Sequence, residues 1–256
     1  MKDYAAARER CAPPPVVHVV PRKEDLGAAP LAGSVAVVLD SLFATTTIVT
    51  ALDAGASVVI PAEDPDEARR AAEGLAPGSF HIAGEYQLAP IPGFATPMPL
   101  ELSERPDFAG KPLIYSTTNG TVALRRSRAA RAVYAAALRN RAATLGHVQR
   151  HHAAAPVVIV CSGSSGSLNL EDFYAAGAFV DLLVKLRGLD PARHLADTAL
   201  AALATYRGGT PAATLDASRV GRICTAAGSG SEVRHAAEVD VSPLVALLKD
   251  DKVVRA

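Results

Sequence analysis

Acidic side chains stand at three places where they could do chemistry together. Asp40 and Glu85 each follow a short apolar run, and Glu171-Asp172 opens a long helical segment. Carboxylates at such places can hold a divalent cation or act as general acids and bases. Structural roles are the alternative: Asp40 would form a turn, and the acids of the first helical turn would complement the helix dipole.

Turns rich in hydroxyl groups and glycine follow apolar runs in three stretches, residues 35–52, 112–124 and 156–177. Each turn precedes a helical segment, whose N-terminus offers free N–H groups and a positive dipole end that suit phosphate or sulfonate. Ordinary helix capping explains any one of these turns. Three of them at the carboxyl ends of parallel strands favour an anion-binding site, which includes Ser164 and Gly166 in the third turn.

Carboxylates beside a bound anion repel it unless a cation lies between them. Mg²⁺ resolves this conflict, because it binds one or two carboxylates together with phosphate oxygens and can activate water. We therefore predict that carboxylates among Asp40, Glu85 and Glu171-Asp172 hold Mg²⁺. The chain has neither a Walker A loop nor a GxGxxG fingerprint, so nucleotide binding by those routes is not supported.

Two further groups of residues have both a chemical and a structural interpretation. Cys161 ends a strand before a glycine- and serine-rich turn, where a lowered pKa would give a thiolate nucleophile, but cysteine is also a common buried strand residue. Arg139 and Arg141 follow another strand, where they could clamp an anion or simply stay solvated at a helix start.

The elements that must position these residues alternate between strand and helix patterns. The predicted strands are Val16–Val20, Val35–Leu39, Ser57–Pro61, Phe80–Ala83, Leu113–Tyr115, Ala132–Ala136 and Val157–Cys161. The predicted helices are Ala44–Ala54, Asp64–Glu73, Gly120–Arg128, Arg141–His151, Leu170–Leu186, Pro191–Thr205, Ser218–Ala227 and Glu232–Val239. This order predicts an α/β fold with a largely parallel or mixed sheet and a helix-rich C-terminal part.

The chain divides into a flexible N-terminal tail, residues 1–15, and an α/β domain, residues 16–256. An alternative division splits the domain into two sub-lobes, about 16–150 and 151–256. Residues 85–106 are rich in proline and predict a long loop without regular structure, which is typical of a functional loop.

Composition limits the class of protein. The 256 residues are 49% apolar and 20% charged, which predicts a folded domain with a sizeable core. Lys+Arg and Asp+Glu both number 26, so a general basic field for nucleic acid is absent. No apolar run reaches the ~20 residues of a membrane helix, no secretory signal is evident, and three widely spaced cysteines form no disulfide framework. We expect a cytoplasmic protein that binds neither nucleic acid nor membrane.

The order of DSLFATTTIVTAL, STTNGTVAL and LEDFYAAG, with the later SRVGR and AAEVD, resembles the 2-phosphosulfolactate phosphatase family, the ComB-like proteins. The resemblance runs from about Val16 to the C-terminus. It implies a three-layer α/β/α fold, a magnesium-dependent phosphatase, and a homo-oligomer such as a dimer. It also implies hydrolysis of (R)-2-phospho-3-sulfolactate to sulfolactate and phosphate.

The resemblance also implies roles for individual residues. Asp40, Glu85 and Asp172 would be metal- or water-handling residues. The residues implied for the phosphate site are Thr45, Thr46, Thr118, Asn119, Gly120 and Thr121, with Arg222 as an anion partner.

This chain departs from the family pattern at Phe43, where the family usually carries an arginine. The loss of that arginine removes a bidentate anion donor, and Arg139 and Arg141 are candidates to replace it. Phe43 is therefore the predicted specificity residue. A different small phosphate ester, such as a nucleotide or sugar phosphate, and a non-hydrolytic anion-binding role both stay open as alternatives.

Overall fold

The computed structural model describes residues 16–105 and 107–256, so the predicted tail at residues 1–15 lies outside it. The described part forms one ten-stranded mixed sheet with helices on both faces. The strands are β1 Val17–Val20, β2 Val35–Leu39, β3 Val59–Ala62, β4 His81–Tyr86, β5 Ala89–Pro90, β6 Leu113–Ser116, β7 Ala132–Ala136, β8 Val157–Cys161, β9 Ala246–Lys249 and β10 Lys252–Arg255. These bounds confirm an α/β fold.

The described helices lie between the strands and in the C-terminal part, as the sequence predicts. They are α1 Ala44–Asp53, α2 Pro65–Glu73, α3 Pro99–Ser103, α4 Gly120–Arg126, α5 Arg141–His152, α6 Leu170–Arg187, α7 Pro191–His194, α8 Asp197–Arg207, α9 Pro211–Ala217, α10 Arg219–Ala226 and α11 Gly230–Ala236, with a 3₁₀ turn at Lys23–Ala28. None of the helices in the described ranges is both long enough and apolar enough to span a membrane.

The sheet has the strand order β1-β8-β2-β7-β9-β10-β3-β6-β4-β5. Strand β2 pairs in parallel with β7 and with β8, and β6 pairs in parallel with β3 and with β4. The antiparallel hairpin β9–β10 lies between β7 and β3 and joins these two parallel groups.

The side chains of β2 alternate between the two faces of the sheet, which explains why there is a core on each face. Val35, Val37 and Leu39 belong to one buried cluster, together with Phe179 of α6. Ala36 and Val38 belong to another, together with residues of α1 such as Ile48. Successive side chains of a strand point to opposite faces, so a strand that is apolar at every position needs helices on both sides.

The structure differs from the sequence prediction after Leu186. The predicted helix Pro191–Thr205 is broken into α7 and α8, because Leu195 forms a bridge with Val17 and the Ala196 N–H donates to the Val17 carbonyl. Helix α9 and the hairpin β9–β10 were not predicted. The proline-rich segment also contains β5 and α3, so it is not a loop throughout.

The polypeptide after β6 lies against the end of β2, although four strands separate β6 from β2 in the sheet order. A Cβ atom on Gly120 would lie 2.4 Å from the Ala44 Cβ and 2.7 Å from Asp40 Oδ2. The two parallel groups of strands therefore bring their carboxyl ends together, and the candidate site lies there.

Candidate active site

A cavity of about 100 Å³ lies where the segments that follow β2, β6 and β8 meet. Its polar lining includes Asp40, Glu85, Thr117, Asn119, Ser164 and Asn169. Its apolar wall includes Leu42, Phe43, Leu88, Met98, Val220 and Cys224. The carboxyl ends of the strands of an open α/β sheet are the usual place for a ligand. The cavity is small beside the ~300–1,000 Å³ of sites for drug-sized ligands, which favours a small ligand.

Asp40 is the buried carboxylate of this cavity. Its Oδ1 accepts a hydrogen bond from the Ala44 N–H at 3.3 Å. Burial, together with the charges of Glu85 and Glu171, raises the pKa of Asp40 to about 7 against the lowering effects of the Ala44 N–H bond and of Lys23. A carboxyl group with this pKa can give up or take a proton near neutral pH.

Glu171 and Asp172 lie in the first turn of α6, and both are buried. Asp172 accepts from the Ser41 N–H at 2.7 Å and from the Gly163 N–H at 3.4 Å, so it ties the turn after β2 to the turn after β8. Burial raises the pKa of Asp172 well above its usual range, and the charges of Asp40 and Glu171 act in the same direction. Burial also raises the pKa of Glu171, whose Oε1 has no hydrogen-bond partner among the described residues.

Glu85 lies at the cavity but its carboxylate is engaged by the backbone. Oε1 accepts from the Thr118 N–H and Oε2 from the Leu88 N–H, both at 2.7 Å. Glu85 thus fixes the β4–β5 turn against the segment after β6.

The predicted threonines turn their hydroxyl groups toward the backbone. Thr45 Oγ1 accepts from the Asp40 N–H at 2.8 Å, and Thr46 Oγ1 donates to the Ser41 carbonyl at 2.9 Å. Thr121 Oγ1 accepts from the Thr117 N–H at 3.0 Å. All three are fully buried and none lines the cavity, so in this structure they cap strand ends and helix starts. Thr118 binds Glu85 and the Gln87 N–H.

Two cations reach the polar wall of the cavity. Lys23 Nζ, from the 3₁₀ turn after β1, donates to Asn119 Oδ1 at 2.7 Å and lies 2.9 Å from Glu24. The Arg219 guanidinium, from the start of α10, donates to Ser164 Oγ. Ser164 Oγ in turn donates to Asn169 Oδ1 at 2.8 Å. The two cations thus contact cavity residues that come from different strands.

Phe43 lines the cavity, as a specificity residue should, and its side chain also belongs to the core. The structure does not bring the predicted arginines to the cavity. Arg139 pairs with Glu238 and donates to the His235 carbonyl at 2.9 Å, and Arg141 pairs with Asp240 at 2.6 Å.

Two more predicted residues lie outside the cavity lining. The Arg222 guanidinium donates to the Ala217 carbonyl, and the carbonyl of Gly166 accepts from Arg22. Anion binding by these residues, and by Arg139, remains a prediction.

Cys161 is fully buried at the end of β8, and it does not line the cavity. Burial raises the pKa of its thiol well above the usual range, and the charges of Asp172 and Glu171 act in the same direction. The structure therefore favours the interpretation of Cys161 as a buried strand residue over that of a thiolate nucleophile.

The carboxylates in and beside the cavity fit Mg²⁺ by their chemistry. Hard oxygen donors, an unpartnered buried Glu171 Oε1 and carboxylates that raise one another's pKa are what a divalent cation would satisfy. Over residues 16–105 and 107–256, no three His, Cys, Asp or Glu side chains form one ligand group. Glu85 and Asp172 each accept N–H hydrogen bonds on both carboxylate oxygens, and joint metal binding by Asp40, Glu85 and Asp172 remains a prediction.

Comparison with known proteins assigns the chain to a family. A family model described as 2-phosphosulpholactate phosphatase matches residues 21–251. The chain belongs to this family.

Individual relatives of the 2-phosphosulpholactate phosphatase family are similar over much of their length. Proteins named "Probable 2-phosphosulfolactate phosphatase" include one from Deinococcus radiodurans, 36% identical over 84% of this chain and 87% of the relative. Another, from Symbiobacterium thermophilum, is 40% identical over 66% of this chain and 69% of the relative. A third, from Gloeothece citriformis, is 38% identical over 67% of this chain and 70% of the relative. The family is one of phosphatases, enzymes that hydrolyse phosphoric monoesters.

Three residues that line the cavity or contact its lining were not predicted from the sequence: Lys23, Arg219 and Asn169. No sequence pattern singles out Lys23, and its hydrogen-bond partner Asn119 lies 96 residues further along the chain. Arg219 likewise contacts Ser164, which precedes it by 55 residues in the sequence. For Asn169, its place directly before α6 was an available signal, because asparagine is a common residue at helix starts.

Proposed function

We propose that this chain releases phosphate from a small anionic phosphate monoester, and that 2-phosphosulfolactate, the compound in its relatives' names, is the substrate. The observation that carries the proposal is Asp40, a buried carboxyl group that opens into a small cavity at the strand ends. Asn119 and Ser164 line the same cavity, and Lys23 and Arg219 stand directly behind them.

Each of these residues has a task in hydrolysis. The Asn119 amide and the Lys23 ammonium group would bind phosphoryl oxygens, since ammonium groups are good phosphate partners. Asp40 in its ionised form would orient the attacking water within the cavity. Asp172 would keep the turn that follows Asp40 in position through its bond to the Ser41 N–H.

We propose Mg²⁺ as the cofactor, held by Asp40 and Glu171. When bound, Mg²⁺ supplies positive charge that neutralises the phosphoryl oxygens. The carboxylates of Asp40 and Glu171 would then remain ionised, because a nearby cation lowers the pKa of an acid.

Phosphate release tests the proposal. The purified protein is incubated with 2-phosphosulfolactate, 2-phospholactate, a sugar phosphate and a nucleoside monophosphate, with Mg²⁺ or with a chelator. We expect turnover of the small anionic esters that is lost with the chelator. Asp40→Asn should lower kcat by at least about 100-fold, while Asp53→Asn, at an exposed position of α1, should keep it.

A readout that does not depend on activity accompanies this assay. Mg²⁺ should raise the melting temperature of the unmodified protein, and it should do so less for Asp40→Asn. Absence of phosphate release from all four esters in the presence of Mg²⁺ would overturn the phosphatase proposal. Turnover that is unaffected by the chelator, without a thermal shift, would overturn the cofactor.

The apolar wall around Phe43 bears on the choice among substrates. A sugar phosphate or nucleotide could place a ring against Phe43, whereas 2-phosphosulfolactate offers only its short carbon chain. Preferred turnover of the nucleotide would replace the proposed substrate and leave the reaction type unchanged.

A further inference from the structure

We infer that Glu232 is a positioning residue for the cavity: it holds the wall formed by Pro97 and Met98 in place and thereby limits the size of the ester that enters. This inference rests on the proposed function and deepens it, because it concerns which phosphate esters the cavity accepts. Glu232 itself lies on α11, outside the cavity lining.

The wall in question comes from the proline-rich segment. Pro97 and Met98 both line the cavity, and α3 begins at the next residue, Pro99. Val220 and Cys224 of α10 contribute to the same apolar wall from a distant part of the sequence. The width of the cavity therefore depends on where the proline-rich segment lies relative to the C-terminal helices.

Glu232 binds the start of α3 with both carboxylate oxygens. Oε2 accepts from the Leu100 N–H at 2.9 Å, and Oε1 accepts from the Glu101 N–H at 3.1 Å. The first N–H groups of a helix have no partner within it, and the N-cap residue of α3 is Met98, whose side chain contains no oxygen. The buried Glu232 takes over this capping role, through charge-assisted bonds that are stronger than neutral ones.

The Pro97 carbonyl is held from the other side. It accepts from the Thr47 hydroxyl at 2.7 Å and from the Tyr115 hydroxyl at 3.0 Å. Thr47 belongs to α1 and Tyr115 to β6, and both side chains are fully buried. A carbonyl oxygen has two lone pairs, so these two donors fix the orientation of the peptide that precedes Met98.

The two sets of contacts fix both ends of the wall. Thr47 and Tyr115 hold the residue before Met98, and Glu232 holds the helix that begins directly after it. Because Glu232 lies on α11, it also joins this wall to the C-terminal helices, of which α10 lines the cavity. A wall that is held at both ends resists moving outward for a larger ester.

Two esters of equal charge and different size test this inference. 2-Phospholactate and 2-phospho-3-phenyllactate both carry a phosphate and a carboxylate, and they differ by one phenyl group. Glu232→Gln keeps the shape of the side chain but places an NH₂ group opposite one N–H group of α3, so that hydrogen bond is lost. The ratio of kcat/KM for the smaller ester to kcat/KM for the larger one should fall at least about 5-fold.

This ratio separates positioning from simple loss of folded protein, which would lower kcat for both esters equally. Glu104→Gln, at the exposed end of α3, is the matched control and should leave the ratio unchanged. Thr47→Val removes a donor to the Pro97 carbonyl and should lower the ratio as well, so it tests the wall independently of Glu232. An unchanged ratio in folded Glu232→Gln, or in Thr47→Val if Glu232→Gln does not fold, would overturn the inference.

Hydrogen exchange follows the same contacts without relying on activity. The Leu100 and Glu101 amides should exchange at least about 10-fold faster in Glu232→Gln, while the amides of β2 should keep their protection. Equal exchange in both proteins would overturn the inference even if the esters are hydrolysed.

Failure of the proposed function is recognised separately. If neither ester is hydrolysed, the phosphatase proposal fails, and calorimetry replaces kinetics by measuring Kd for the same two esters. A fall in the preference for the smaller ester in Glu232→Gln, together with the faster exchange, would then still support the role of Glu232. An unchanged ratio of the two Kd values would overturn it.

Discussion

Burial makes Asp40 a pH-sensitive residue for folding as well as for catalysis. Its pKa is raised from 3.8 to about 7, so the folded state holds a proton that the unfolded chain releases at lower pH. The resulting stabilisation is present below about pH 4 and is lost as pH rises through about 7. We therefore expect Asp40→Asn to be more stable than the unmodified protein at pH 8, on the order of 1–3 kcal/mol, and similar to it at pH 4.

Chemical denaturation without added metal, at a series of pH values, checks this expectation. Asp53→Asn provides the matched control, since it removes an exposed carboxylate from the same region. If the stability difference between Asp40→Asn and the unmodified protein stayed the same from pH 4 to pH 8, the raised pKa of Asp40 would be disproved.

The Cys161 thiol gives a second prediction about a single residue. Because it is fully buried and its pKa is raised, Cys161→Ala should keep kcat within about 3-fold of the unmodified enzyme. It should cost about 1 kcal/mol of unfolding free energy through the lost sulfur contacts. Steady-state kinetics and denaturation of the same sample measure both, and abolished turnover in a folded variant would restore the thiolate hypothesis.

Sequence reasoning reached some site residues and not others for a physical reason. Asp40 and Asn119 stand where strands end, and the alternating pattern fixes those places. The alternating pattern does not show whether a hydroxyl group faces a ligand or a nearby N–H group. In the structure, the hydroxyl groups of Thr45 and Thr121 face N–H groups. Contacts between distant segments, such as that of Lys23 with Asn119, depend on the tertiary fold alone.

Helix α4 approaches the end of β2 so closely that its first residue must lack a side chain. A Cβ atom at position 120 would lie within 2.9 Å of both Ala44 and Asp40. Gly120→Ala should therefore destabilise the protein by about 1–3 kcal/mol and lower activity, because α4 or Asp40 must move. Thermal denaturation and phosphate release measure these effects.

Gly146→Ala is the matched control for that substitution. Gly146 lies inside α5, and its added Cβ would meet only the end of the Arg150 side chain, at 3.4 Å. This variant should be neutral or more stable by up to about 1 kcal/mol, because glycine disfavours helix interiors. Equal changes in stability for the two variants would mean that the close approach at Gly120 is not what destabilises Gly120→Ala.

The elements differ in how well the sequence predicts them. The bounds of β2, β7 and β8 are confirmed to the residue, because each is a short run of apolar residues. The hairpin β9–β10 was missed because its turn is Asp250-Asp251 rather than a glycine-containing pair. Both aspartates have positive φ angles, 48° and 60°, which is the geometry of the tight turns that favour hairpins.

At the scale of the whole molecule, the hairpin β9–β10 makes one sheet from two groups of parallel strands. Val253 of β10 is fully buried and pairs with Val59 of β3. Val253→Ala should cost about 2 kcal/mol of unfolding free energy. It should also lower the hydrogen-exchange protection of β2 and of β6 together, since both groups depend on the same junction.

The neighbouring residue offers the control for this change. Val254 is partly exposed, so Val254→Ala should cost less than about 1 kcal/mol and leave exchange in β2 and β6 unaltered. Loss of protection in one group of strands alone after Val253→Ala would show that the two groups unfold independently.

The late position of the hairpin also matters while the protein is being synthesised. Strands β7 and β3 are complete well before residues 246–255 leave the ribosome, so each waits with an open edge of unpaired backbone groups. Such edges invite pairing with other chains. A nascent chain of this protein is thus most exposed to aggregation just before the hairpin emerges, which is when a chaperone would protect it best.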